Sequence, residues 1–91
     1  MSEKKYVFRL YTANQKEKSS RLAEDLAAVL EQYYPGQYTV DVVDVLNNMD
    51  DAVQNEIFAT PTLIWQEPQP ATRIIGDLRN MERVLLKLGV I

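Results

Sequence analysis

Thr60-Pro61-Thr62 constrains the fold of this chain more than any other feature. A proline directly before a run of β-formers marks a turn that leads into a strand, and an X–Pro bond adopts the cis form at small cost. The run is Thr62 to Gln66 (Thr-Leu-Ile-Trp-Gln). Glu67 to Ala71, with Pro68 and Pro70, then forms a turn, and Thr72 to Ile75 is a further strand. A loop of that length joins two strands as a hairpin.

The first half alternates strand and helix. Tyr6 to Thr12 is nearly all β-forming and apolar, interrupted only by Arg9. Such a run suits a central strand covered on both faces. Asn14 to Ser20 is polar, and Ser19 or Ser20 is expected to cap a helix. Leu22, Leu26, Val29, Leu30 and Tyr33 then line one helical face, which Pro35-Gly36 ends. Tyr38 to Val45 is a second strand, parallel to the first through a right-handed crossover. Asn47-Asn48 breaks it. Met49 to Ala59 is expected to be a short helix with Met49, Val53 and Ile57 on one face. Asp77 or Asn80 can cap a last helix with Met81, Val84, Leu85 and Leu88 inward, and Gly89 stops it.

The order is β-α-β-α-β-β-α, an α/β chain of 91 residues in one domain, 1–91. It resembles the thioredoxin-like fold: a four-stranded mixed sheet with helices on both faces. In enzymes of that fold a reactive thiol sits between the first strand and the first helix. This chain has no cysteine and no histidine. Thiol catalysis, disulfides and zinc–thiolate sites are excluded, and the usual general base near neutral pH is missing. Ser19 and Ser20 therefore have no base to activate them. Asp41 and Asp44 lie on opposite sides of one strand, and with Asp50 and Asp51 they do not form an oxygen cage, so no metal site is expected.

A net charge of −3 does not suit nucleic-acid binding. No apolar run approaches the roughly 20 residues of a membrane span, and Met-Ser-Glu-Lys-Lys is not a signal peptide. A cytoplasmic protein is expected. Trp65 belongs in a core or partly buried position, with a partner-facing anchor as the alternative. Arg73 is a surface arginine, an ion-pair residue or an interface residue.

Tyr6-Val7-x-x-Leu10-Tyr11, Ser19-x-Arg21, Val43-Asp44-Val45-Leu46, Ala59-Thr60-Pro61-Thr62-Leu63 and Arg73-Ile74-Ile75-Gly76-Asp77-Leu78 resemble the KaiB family of circadian clock regulators. The likeness runs from about Tyr6 to Leu88. It implies a non-enzymatic protein, with no cofactor, that binds the ATPase KaiC and in a complete clock sequesters KaiA. It also implies a metamorphic protein: a thioredoxin-like monomer in the binding state, and a tetramer with a refolded second half in the other. A clock-derived stress response is a further role the family suggests. The sensory domain of the clock histidine kinase is similar too, so an adaptor binding a histidine kinase or another signalling protein is the alternative function.

By that resemblance Arg21, Asn55, Glu56 and Arg73 are expected partner contacts. Pro61, Pro68, Pro70, Gly76 and Asp77 are expected to set the fold state. A side chain at Gly76 would restrict the backbone there. The chain also departs from the family. The loop after the first strand is Asn14-Gln15-Lys16-Glu17-Lys18, Glu56 reverses an expected basic residue, Gln69 interrupts a proline run, Thr72 replaces an arginine, and the family's acidic tail has no counterpart. These mark a divergent member. Monomer, dimer and tetramer all remain open. Strand propensity in Thr62–Gln66 and Thr72–Ile75 and helix propensity in Met81–Leu88 favour the thioredoxin-like state.

Overall fold

A computed structural model describes residues 5–14 and 16–91. Residues 1–4, on which the leader-segment expectation rests, and Gln15 of the loop after the first strand lie outside the described residues. The elements are β1 (Tyr6–Thr12), α1 (Lys16–Tyr33), β2 (Tyr38–Asp44), a 3₁₀ turn (Val45–Asn47), α2 (Met49–Gln54), β3 (Thr62–Glu67), β4 (Thr72–Ile75) and α3 (Met81–Leu88). They form one four-stranded sheet in the order β2-β1-β3-β4. β1 and β2 are parallel, with Phe8 opposite Val40. β1–β3 and β3–β4 are antiparallel, with Leu10 opposite Leu63 and Leu63 opposite Ile74.

Side chains alternate across a strand, so this register sorts the sheet into two faces. One carries Tyr6, Phe8, Leu10, Leu63 and Trp65 and packs against Leu26 and Leu30 of α1 and Val84, Leu85 and Leu88 of α3. Phe8, Leu30 and Leu85 are fully buried there. The other face carries Arg9, Tyr11, Ile64 and Arg73, and α2 lies over it, bonded to Arg9 and Tyr11 through Asp51. No described helix is long and apolar enough to cross a membrane.

Four sequence expectations need correction. α1 begins at Lys16, so Ser19 sits buried inside its first turns instead of capping it. Lys16, Glu17 and Lys18 are strong helix formers, and serine inside a helix costs only a few tenths of a kcal/mol, about 0.5. At the far end Tyr33 is 45% exposed. Tyr34, just past the helix, turns inward instead and stacks on Tyr6 with ring centroids 3.7 Å apart. β2 stops one residue early, because the Asp44 carboxylate accepts from the Leu46 amide at 3.0 Å and winds the chain into the 3₁₀ turn.

The largest difference is α2. It ends at Gln54, and its one buried residue is Ala52. Glu56 has φ +55°, a left-handed conformation that stops the helix. Met49 and Val53 point to solvent, 62% and 72% exposed. The opposing sheet face offers Arg9 and Tyr11, so Asp51 turns inward to them while Met49 and Val53 turn outward. Thr60–Pro61 is cis, as are Glu67–Pro68 and Gln69–Pro70.

Candidate functional site

Two regions collect the candidate residues. The first is a cleft of about 750 Å³ at the C-terminal edge of β1, between the start of α1 and the loops flanking β3 and β4. Lys18, Ser19, Arg21, Pro61, Gly76 and Asp77 line it. Gly76 has φ +109°, which L side chains rarely adopt, and its amide donates to the Pro61 carbonyl at 3.0 Å. Asp77 is held by Arg79, whose backbone amide, Nε and Nη2 donate to its carboxylate at 3.0, 2.9 and 2.7 Å. Those bonds keep the Asp77 carboxyl well below the usual range. Both side chains are solvent-exposed, so the pair adds little to stability.

This cleft occupies the place where thioredoxin-like enzymes keep their thiol. It has none, because the sequence has no cysteine. Among the described residues no group of three or more acidic side chains could hold a metal ion.

The second region is α2 with its flanking turns. Leu46, Met49, Val53 and Phe58 are 56%, 62%, 72% and 88% exposed. Beneath them is a polar network. The Tyr11 hydroxyl donates to Asp51 Oδ1 at 2.7 Å, Asn55 Nδ2 donates to the same oxygen at 2.9 Å, and Arg9 Nη1 lies 3.3 Å from Oδ2. The Tyr11 bond and the Arg9 charge hold the Asp51 carboxyl below its ordinary value. Burial and the adjacent carboxylate push the Tyr11 phenol up. At the other end of α2 Arg73 donates to the carbonyls of Glu56 at 3.0 Å and Asn55 at 2.8 Å.

The structure thus divides the candidates. Arg21, Pro61, Gly76 and Asp77 meet in the cleft. Asn55, Glu56 and Arg73 meet at the end of α2. Pro68 and Pro70 sit apart from both, in the β3–β4 turn. Trp65 is partly buried against Phe8, with ring centroids 5.4 Å apart. Its indole N–H is buried and has no hydrogen-bond partner among the described residues. Sequence reasoning missed Arg9, Tyr11 and Asp51. The signal was present: a charged residue inside an otherwise apolar central strand requires a buried or half-buried partner.

Fold and site define a thioredoxin-like α/β domain whose cleft carries no thiol. The KaiB domain model matches residues 9–90, and the chain belongs to the KaiB family. It is 43% identical over 88 residues to the circadian clock oscillator protein KaiB of Thermostichus vulcanus, covering 97% of this chain and 82% of that one. The protein of the same name from a Nostoc species is 42% identical over 90 residues, covering 99% and 83%. Among solved structures, the N-terminal domain of SasA from Synechococcus elongatus superposes with a TM-score of 0.71 at 15% identity, covering 94% and 82%. The germline thioredoxin Deadhead of Drosophila melanogaster superposes with a TM-score of 0.66 at 16% identity, covering 93% and 82%. Likenesses at that identity carry the fold alone.

Proposed function

We propose that this protein is a non-enzymatic clock-type regulator that docks onto a KaiC-type ATPase in the cytoplasm, through the exposed face of α2 and its flanking turns. The carrying observation is the solvent-facing apolar set Leu46, Met49, Val53 and Phe58 on one short segment, none of it needed for the core. An outward-facing apolar group of this kind supports a protein interface. Asp50 and Glu56 on the same segment are exposed and acidic, which suits a partner surface carrying cations. The relatives' name as clock oscillator proteins supports the same reading. Arg21 in the cleft is a second contact candidate.

The test is to mix the protein with the KaiC-type ATPase of its own organism, with and without ATP, and to read the mass by size-exclusion light scattering. A nucleotide-dependent complex is expected. Val53→Asp, at a 72% exposed position, should weaken it by about tenfold or more while leaving the thermal midpoint unchanged. Absence of a complex at tens of micromolar, roughly the range of a weak specific contact, would sink the proposal. Capture of a histidine kinase in its place would establish the adaptor role.

A further inference from the structure

α2 has six residues and one buried side chain, Ala52. A helix so short is not stable alone, and most protein helices are held by an apolar face packed on the core. Here the large apolar residues, Met49 and Val53, face solvent. Something else must hold the helix to the sheet.

Two polar ties do so, one at each end and from different strands. Near the N-terminus Asp51 takes the Tyr11 hydroxyl on one oxygen, at 2.7 Å, and the Arg9 guanidinium on the other, at 3.3 Å. Both partners come from the central strand β1. Asn55 Nδ2 bonds both the Asp51 carboxylate and the Asp51 carbonyl at 2.9 Å, which ties the carboxylate to the next turn of the helix. At the C-terminus the Arg73 guanidinium reaches from edge strand β4 to the carbonyls of Asn55 and Glu56 at 2.8 and 3.0 Å. Those carbonyls have no partner within the helix, and they carry the negative end of its dipole, where a planar cation with two parallel donors fits best.

We infer that Tyr11, Arg9 and Arg73 are positioning residues that pin α2 to the sheet at both ends and so set the orientation of the docking surface. The role in docking rests on the function proposed above; the pinning does not. Arg73 therefore acts on the partner through the backbone of α2. Tyr11 is the sharper probe, because its side chain is fully buried and cannot touch a partner. The Tyr11 hydroxyl also accepts from Arg9 Nη1 at 3.2 Å, so any effect of Tyr11→Phe on docking has to pass through Asp51 and Arg9 and the helix they hold.

The experiment is amide hydrogen exchange on the free, full-length chain, followed by affinity for the ATPase. The reporters are the amides of Asn55, Glu56 and Ile57, which bond to the carbonyls of Asp51, Val53 and Ala52. In Tyr11→Phe and in Arg73→Ala these amides should exchange about tenfold faster, with β1 and α3 amides unchanged, because a local unit opens without global unfolding. Affinity should fall in both variants. Arg73→Lys should recover only part of the loss, since a point charge cannot hold two carbonyls at once. Unchanged α2 exchange in both variants would overturn the inference, whatever the ATPase does. Faster exchange with undiminished affinity would overturn the positioning role. If the wild-type protein fails to bind the ATPase, the docking proposal falls, and the exchange rates alone decide whether the clamp exists.

Discussion

Asp51 is the residue on which the α2 surface turns. It accepts from Tyr11 and Asn55 and pairs with Arg9, and Asp41 is the other acidic group whose charge bears on Arg9. Its carboxyl is lowered, first by the Tyr11 hydrogen bond and then by the Arg9 charge and the Asn55 amide. A carboxyl with a depressed folded-state pKa contributes stability above its unfolded value, about 3.9. That contribution is lost as pH falls through the folded value. Acid titration followed by NMR should therefore release the α2 amides below about pH 4, before the core amides of α3. Asp77 is depressed as well, through Arg79, and titrates in the same direction. Asp51→Asn separates the two: it should remove the acid step at α2 and leave the step at Asp77. An α2 step that survives in Asp51→Asn would refute the assignment. The same residue shows a limit of reading side chains one at a time. Asp51 was legible only as one of several surface acids, because its partner Tyr11 lies 40 positions away.

Helices α2 and α3 make a contrast. α3 carries its own instructions. The Asn80 side chain accepts from the Arg83 amide at 3.1 Å, and Gly89 closes the helix at φ +89°. Val84, Leu85 and Leu88 recur at helical spacing and are buried as the spacing requires. Asn80→Ala should cost about 1 kcal/mol, read as a lower urea midpoint at constant slope. A cost near zero would mean that packing alone defines the start of α3. α2 carries few such instructions. Met49, Val53 and Ile57 have a helical period, yet the helix stops before Ile57 and turns Met49 and Val53 outward. The period is the same whether a face meets a core or a partner. The β3–β4 hairpin behaves like α3, because turn chemistry between two β-forming runs is local, and β4 spans Thr72 to Ile75 as the propensities require.

The sheet and the two helices on its first face act as the rigid base for both candidate regions. Phe8, Leu10, Leu30, Leu63 and Leu85 are at most 1% exposed and belong to one cluster. Leu85→Ala should cost about 2–5 kcal/mol, a large share of the stability of a domain this small, and should broaden the NMR signals of both the cleft and α2. A loss confined to α3 would show that the two faces of the sheet are not coupled. The order of elements, the parallel β1–β2 pair and the buried residues Leu26 and Leu30 of α1 and Val84, Leu85 and Leu88 of α3 were legible from the chain, since they depend on local pattern. The start of α1, the early end of α2 and the Arg9–Tyr11–Asp51 and Arg73 ties were not. They depend on which side chains the sheet register places opposite one another, and hydrogen bonds between residues distant in sequence leave no periodic trace. Burial is patterned along a chain; a specific polar contact exists only once the strands have been put in order.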